Sequence, residues 1–181
     1  MDRFSLSGRI WHHVWRTCII QCCPAHNKFG MLQKNFLSEI NFYRKVHGSG
    51  PLTLDHYLTT IAQNVASTSA SIGKWSYFDK NNNGVNYATV NEKESPLLIN
   101  KWYKESKNYN YNTLFEKSKF LHFTNLVWKH TLAVGIGIAQ KNSDLYICLK
   151  FFPEGSQSFK FQQNVGKPKY SFMNSRNFFK S

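Results

Sequence analysis

The stretch Leu121 to Gly137, LHFTNLVWKHTLAVGIG, constrains this chain more than any other because its hydrophobic period changes partway along. His122 opens a run in which Phe123, Leu126 and Val127 recur at spacings of three and four, the pattern of one helical face. From Val134 the period drops to two, with Val134, Ile136 and Ile138 alternating against Gly135, Gly137 and Ala139. That alternation reads as a strand packed closely on another element. A helical turn joined to such a strand, with one histidine at the junction, is a unit on which the other elements must pack.

Those elements can be placed by period and punctuation. Leu32, Phe36, Ile40, Tyr43 and His47 predict an amphipathic helix over 32–47, ended by Gly48-Ser49-Gly50-Pro51. A second helix carries Leu54, Leu58, Ile61, Ala62, Val65, Ala66 and Ser69, with Thr53 or Asp55 as its cap and Gly73 as its end. Its small residues imply a close neighbour. Residues 74–83 are turn-rich, and Gly84 to Val90 has the composition of a short strand. Ser95-Pro96 opens a helix through Leu98, Trp102 and Glu105, and 108–119 is a long connection fit to shape the edge of a cleft. A hairpin follows, Val134–Gln140 and Leu145–Phe152, stopped by Pro153. The expected class is α+β: helices around a small antiparallel sheet.

At 181 residues without an internal repeat, the chain reads as one domain over 31–169, with an N-terminal leader over 1–30 and a basic aromatic tail over 170–181. The leader is expected to be poorly ordered or membrane-associating. Its apolar run is broken by His12, His13 and Arg16, so it is not read as a signal peptide, and Asp2 excludes an N-terminal glycine for myristoylation. Cys18, Cys22 and Cys23 are candidates for acylation, or with His26 for a metal; Cys148 stands alone in the domain, so no core disulfide is expected. Twenty-three Lys and Arg against ten Asp and Glu give a net charge of +13, which favours an anionic partner. Lys160, Lys167, Lys169, Arg176 and Lys180, interleaved with Phe172, Phe178 and Phe179, are the candidate membrane contacts.

The segments NFYRKVHGSGPLTLDHYLTTIAQNVA, GVNYATV, WYKESKNYN, HFTNLVWKHTLAVGIG and YICLKFFPEGS, in that order over roughly residues 34–169, resemble the CAP superfamily. This is the group of cysteine-rich secretory proteins, antigen 5 and plant pathogenesis-related proteins that share the SCP domain. The chain is most similar to its Golgi-associated, pathogenesis-related-like branch. The resemblance implies an α-β-α sandwich with a cleft holding two histidines and two glutamates, the histidines able to carry a zinc-like ion. Only half of that tetrad is here: His122 and Glu105 stand at two positions, whereas Trp75 and Val85 occupy the places of the other histidine and glutamate. Smaller departures are Ile40 and Leu121, in place of a histidine and a glycine, and Ser156, in place of a late asparagine.

One histidine and one carboxylate fall short of the roughly three protein ligands of a catalytic zinc, so neither metal nor cofactor is expected. His122 with Glu105 would suit a general base and its orienting partner, but no activated nucleophile accompanies them, and Cys148 sits among apolar strand residues. No helix-turn-helix, zinc-finger or RNA-recognition pattern is present. The expectation is therefore a non-enzymatic binding protein that meets an anionic phospholipid surface or another lipid, with a homodimer as a further partner state and no nucleic acid. Its expected place is a membrane surface inside the cell. The alternatives are a secreted protein with residual hydrolase or metal-linked activity, and a basic nucleic-acid-binding protein.

Overall fold

The computed structural model describes residues 5–20, 28–75, 84–114, 118–169 and 178–179. Among the described residues, six α-helices and four strands run in the order α1 (Leu6–Ile20), α2 (Lys28–Val46), β1 (Thr53–Leu54), α3 (His56–Ile72), β2 (Val85–Asn91), α4 (Leu98–Tyr103), α5 (Leu121–Val127), β3 (Ala133–Lys141), β4 (Asp144–Phe152) and α6 (Phe161–Asn164). Tight 3-10 turns extend α4 on both sides, over Glu92–Leu97 and Lys104–Asn108. The strands lie in the order β1-β3-β4-β2. β3, β4 and β2 are antiparallel as expected, while the two residues of β1 pair parallel to β3, so the sheet is mixed at one edge.

Side chains alternate across this sheet, and the register sets what each face can pack against. Gly135, Gly137 and Ala139 line up with Lys150, Cys148 and Tyr146 and then with Val85, Tyr87 and Thr89. α3 lies over this face across β3 and β4. A Cβ on Gly135 would overlap the backbone of Leu58 and Thr59, and one on Gly137 that of Ala62 and Gln63. The glycines are thus required by the approach of the helix. The side chain of Asp55 caps α3 through the Leu58 N–H at 2.8 Å, and Gly73 ends it in the left-handed conformation.

Beyond the end of β1, β3 would be an open edge. Gln63 of α3 covers it, donating to the Ile138 carbonyl at 2.9 Å and accepting its N–H at 3.0 Å, as a neighbouring strand would.

The opposite face carries Ile136, Ile138, Ile147, Leu149 and Phe151 into the main core with α1, α2, α4 and α5. Trp128 and Trp102 are buried there. This core is threaded with buried polar groups. Arg44 is wholly buried and donates to four carbonyls: Gly50 from Nε at 2.6 Å, Leu126 and Trp128 from Nη1 at 3.2 and 2.8 Å, and Thr131 from Nη2 at 2.7 Å. It ties the turn after α2 to the chain between α5 and β3.

Both ends of the chain depart from expectation. The segment expected to be a poorly ordered or membrane-associating leader contains α1, whose Ile10, Val14 and Trp15 belong to the core. Trp15 Nε1 donates to Glu39 Oε2 at 2.7 Å, Trp11 Nε1 to the Pro96 carbonyl at 2.8 Å, and Asn100 Nδ2 to the Ser7 carbonyl at 3.0 Å. Of the residues that interrupt the apolar run, His12 and Arg16 are exposed and His13 is half-buried edge-on against Phe42, so they do not break the helix. At the other end, Phe178 is buried and Phe179 lies beside it, over α1 and α2. Phe178 is therefore a core residue in this state and not a free membrane contact. Phe172, Arg176 and Lys180 lie outside the described residues.

Candidate functional site

α5 is only seven residues long, and its N-cap, Phe120, supplies no side-chain hydrogen bond. The missing cap comes from Glu105, in the 3-10 turn after α4. Glu105 Oε2 accepts the Phe123 N–H at 3.0 Å, and Oε1 accepts from His122 Nδ1 at 2.8 Å. A carboxylate at a helix N-terminus satisfies an orphan donor and complements the helix dipole. The indole of Trp102 stacks on the imidazole, with centroids 5.2 Å apart and planes 4° from parallel. His122 is consequently fixed on one face and at one nitrogen, with 38% of its side chain exposed.

Its backbone is held as firmly. Asn86 of β2 donates to the His122 carbonyl at 3.0 Å and accepts from Asn125 at 2.9 Å, and Asn125 accepts from Ser156 Oγ at 2.8 Å. Ser156 adopts φ 55°, a conformation that asparagine tolerates better than most residues. This accounts for the asparagine that the resemblance places there. Sequence reading missed the chain from Asn86 through Asn125 to Ser156; two asparagines at buried positions of a strand and a helix were its only signal.

The other two tetrad positions lie elsewhere. Alternation puts Val85 on the α3 face of the sheet, opposite to Asn86. Val85 and Trp75 both pack against Ala62, Ala66 and Cys148. Trp75 Nε1 donates to Thr89 Oγ1 at 3.1 Å, and its ring lies 4.8 Å from that of Tyr87 and 5.6 Å from that of Tyr146. Lys150, directly across from Val85, pairs instead with Glu154 at 3.2 Å. The structure thus unites His122 with Glu105 and gives Trp75 and Val85 to an apolar cluster.

These residues do not fit a zinc-like ion. Of the four side chains two are apolar, and the carboxylate has both oxygens engaged by α5, leaving one imidazole nitrogen as a donor. Among the described residues no three His, Cys, Asp or Glu side chains converge. Nor is Cys148 a nucleophile in waiting: it is buried, and burial pushes its thiol up to about 12.

The remaining candidates are dispersed. Lys160, Lys167 and Lys169 are exposed, Lys160 donating to Gln157 Oε1 at 2.8 Å. Cys18 falls within α1, while Cys22, Cys23 and His26 lie outside the described residues. No helix among the described residues is long and apolar enough to cross a membrane.

Comparison with known proteins agrees with this architecture. The human Golgi-associated plant pathogenesis-related protein 1 is 31% identical over 148 residues, covering 75% of this chain and 96% of that protein. Among solved structures, NaASP2 with Zn2+ aligns with a TM-score of 0.63 at 16% identity, over 87% of this chain and 97% of that one. MpPR-1i aligns with a TM-score of 0.55 at 16% identity, over 81% and 100%. These structural likenesses support the α-β-α sandwich. Residues 37–152, from α2 to the end of β4, match the cysteine-rich secretory protein family, and the chain belongs to that family, CAP.

Proposed function

We propose that this chain is a non-catalytic CAP domain that binds an anionic membrane surface. The observation that carries the reading is the use made of Glu105: one oxygen caps α5 and the other fixes His122, so the pair acts as a structural clamp of the cleft wall. No protein nucleophile is offered to a general base here by the nearby hydroxyls of Thr124 and Ser156, which bond to each other at 2.8 Å in the buried interior. With catalysis set aside, the most prominent property left is the charge of +13, and it is a property that attracts anionic headgroups. The name of the human relative is compatible with an intracellular membrane surface, the Golgi, as the setting.

Co-sedimentation of the full chain with vesicles tests this. Binding should require anionic lipid and weaken as salt rises. Equal binding to neutral vesicles would overturn the electrostatic reading, and tighter binding to single-stranded RNA than to vesicles would favour a nucleic-acid role. Turnover of an ester or peptide substrate that is lost in His122→Ala would restore the hydrolase alternative. For the setting, appearance of the expressed chain in the culture medium would favour the secreted one.

A further inference from the structure

The basic side chains of α1 form a structure of their own. Arg9, His12, His13 and Arg16 are spaced by three, one and three, which places them on one face of the helix, opposite Ile10, Val14 and Trp15. They line an open cleft of about 420 Å³ whose remaining wall is Phe179. The Arg9 guanidinium lies 5.9 Å from the centre of the Phe179 ring, and the His13 ring lies 4.6 Å from it. Lys45 of α2 is close by: its ammonium donates to the Phe178 carbonyl at 3.1 Å, and it shares with His13 and Phe42 an adjoining groove of about 560 Å³. Among the described residues no carboxylate pairs with Arg9 or Arg16. α1 contains no acidic residue.

Like charges gathered on one helical face repel, by a few tenths of a kcal/mol for each close pair. At His13 burial first, and then the Arg16 charge, lower the imidazole from its ordinary value. An anion in the cleft would offset the repulsion among these cations. Two guanidinium groups offer planar forks that match phosphate oxygens, and two imidazoles offer further donors.

We propose that the Arg9, His12, His13 and Arg16 cleft, closed by Phe179, is a binding site for a phosphate group, presented to it by the headgroup of an anionic phospholipid. The site lies outside the segment that matches the family and away from His122. For the source of the phosphate it rests on the membrane reading above; for the site itself it does not.

Binding should strengthen as pH falls below about 6.5, because the phosphate favours protonated His13, whose value in the free protein is lowered from 6.5. The groups facing His13 are Arg9, His12 and Arg16 on its own helix and Lys45 from α2; Arg16 lowers His13 and so moves the rise to lower pH, and with no carboxylate among these groups its direction is kept.

The experiment compares the full chain with Arg9→Gln/Arg16→Gln. Both side chains are exposed, so the fold should survive, which the melting curve checks. The first arm is co-sedimentation with vesicles of phosphatidylserine in phosphatidylcholine. At about 1 kcal/mol per cation near such a surface, the double variant should bind about tenfold to thirtyfold more weakly. Removing two exposed charges elsewhere, in Lys101→Gln/Lys104→Gln, should change binding less than about threefold, and Phe179→Ala should fall between. The second arm follows the His12 and His13 ring resonances by NMR during titration with inorganic phosphate.

If the double variant binds vesicles as the wild type does, the site is overturned and the membrane reading stands. Should the wild type ignore vesicles while phosphate shifts both histidines, and not in the double variant, the site stands for free phosphate and the membrane reading fails. No response in either arm overturns both.

Discussion

The two faces of the sheet are closed by opposite means. On one, Gly135 and Gly137 let the backbone of α3 come down onto β3, and contact is gained by leaving atoms out. On the other, large side chains fill the space and buried polar groups stitch it: Arg44 to four carbonyls, Glu39 to Trp15 and Tyr43, and His47 to the Gly166 carbonyl at 2.6 Å and Tyr103 at 3.0 Å. The first face is intolerant of anything added, the second of anything removed. The candidate site belongs to the second, and this explains why its histidine and carboxylate serve packing as much as surface chemistry.

That contrast can be broken at its strongest point by Gly137→Val. The new side chain must enter the backbone of Ala62 and Gln63, where nothing can rotate away, so the domain should lose more than about 3 kcal/mol and show no cooperative melt. On the other face the damaging change is a deletion. Trp128→Ala should cost about 3 to 5 kcal/mol in a denaturant titration; a melt within a degree or two of wild type would mean that the core has been misplaced.

The polar stitching also gives the second face a pH dependence between about pH 4 and 8, whereas on the first face the buried Cys148 thiol, raised from 9.0 to about 12, acts only in more alkaline solution. Burial, against hydrogen bonds from Trp15 and Tyr43, raises Glu39 from 4.5 to about 8, so the folded state holds a proton that the unfolded state has lost. Stability is therefore fully present below about pH 4.5, falls as pH rises through the interval to about 8, and is level above it, with a limiting slope of about 1.4 kcal/mol per pH unit. Glu39→Gln should flatten this slope. His47 works from the other side: burial lowers it from 6.5 to about 4, so stability falls as pH drops from 6.5 towards 4. Chemical denaturation from pH 4 to 9 should show a maximum between the two limbs in the wild type and only the acid limb in Glu39→Gln.

The smallest expected effect is at the cleft. His122→Ala removes one hydrogen bond and a stacked ring at a partly exposed position, and should cost about 1 kcal/mol without altering vesicle binding. Calorimetry with zinc should find no submicromolar site in the wild type. A tight site lost in His122→Ala would return metal chemistry to this cleft.

What the sequence disclosed followed the same divide. The α3 face was legible almost residue by residue, because tight packing restricts residue type: the alternating glycines and Gly73 each have one physical reading, and of the two caps offered, Thr53 and Asp55, the structure uses Asp55. Helix α2 and the hairpin were legible as periodicity. β1 was missed because two residues carry no period, and Leu54 instead extended the predicted helix backwards. α1 was missed because its basic residues were taken as breaks in an apolar run, when their spacing is that of a helix face. At the site, His122 and Glu105 were identified, but their geometry was not, since a carboxylate that caps a helix eighteen residues away has no local pattern. The placement of Val85 and Trp75 on the far face required the sheet register.

The docking of Phe178 has a consequence for how the molecule comes into being. Its ring completes a wall that begins in α1 and α2, yet its bond to Lys45 spans 133 residues of chain. On a ribosome moving at 5 to 20 residues per second, α2 emerges roughly 7 to 27 s before the residue that covers it. Throughout that interval Phe42 and the adjoining apolar side chains stand open to water and to other nascent chains. Closure by so distant a contact is intrinsically late. The period of synthesis, more than the finished state, is when this domain is most exposed to chaperones and to its own aggregation.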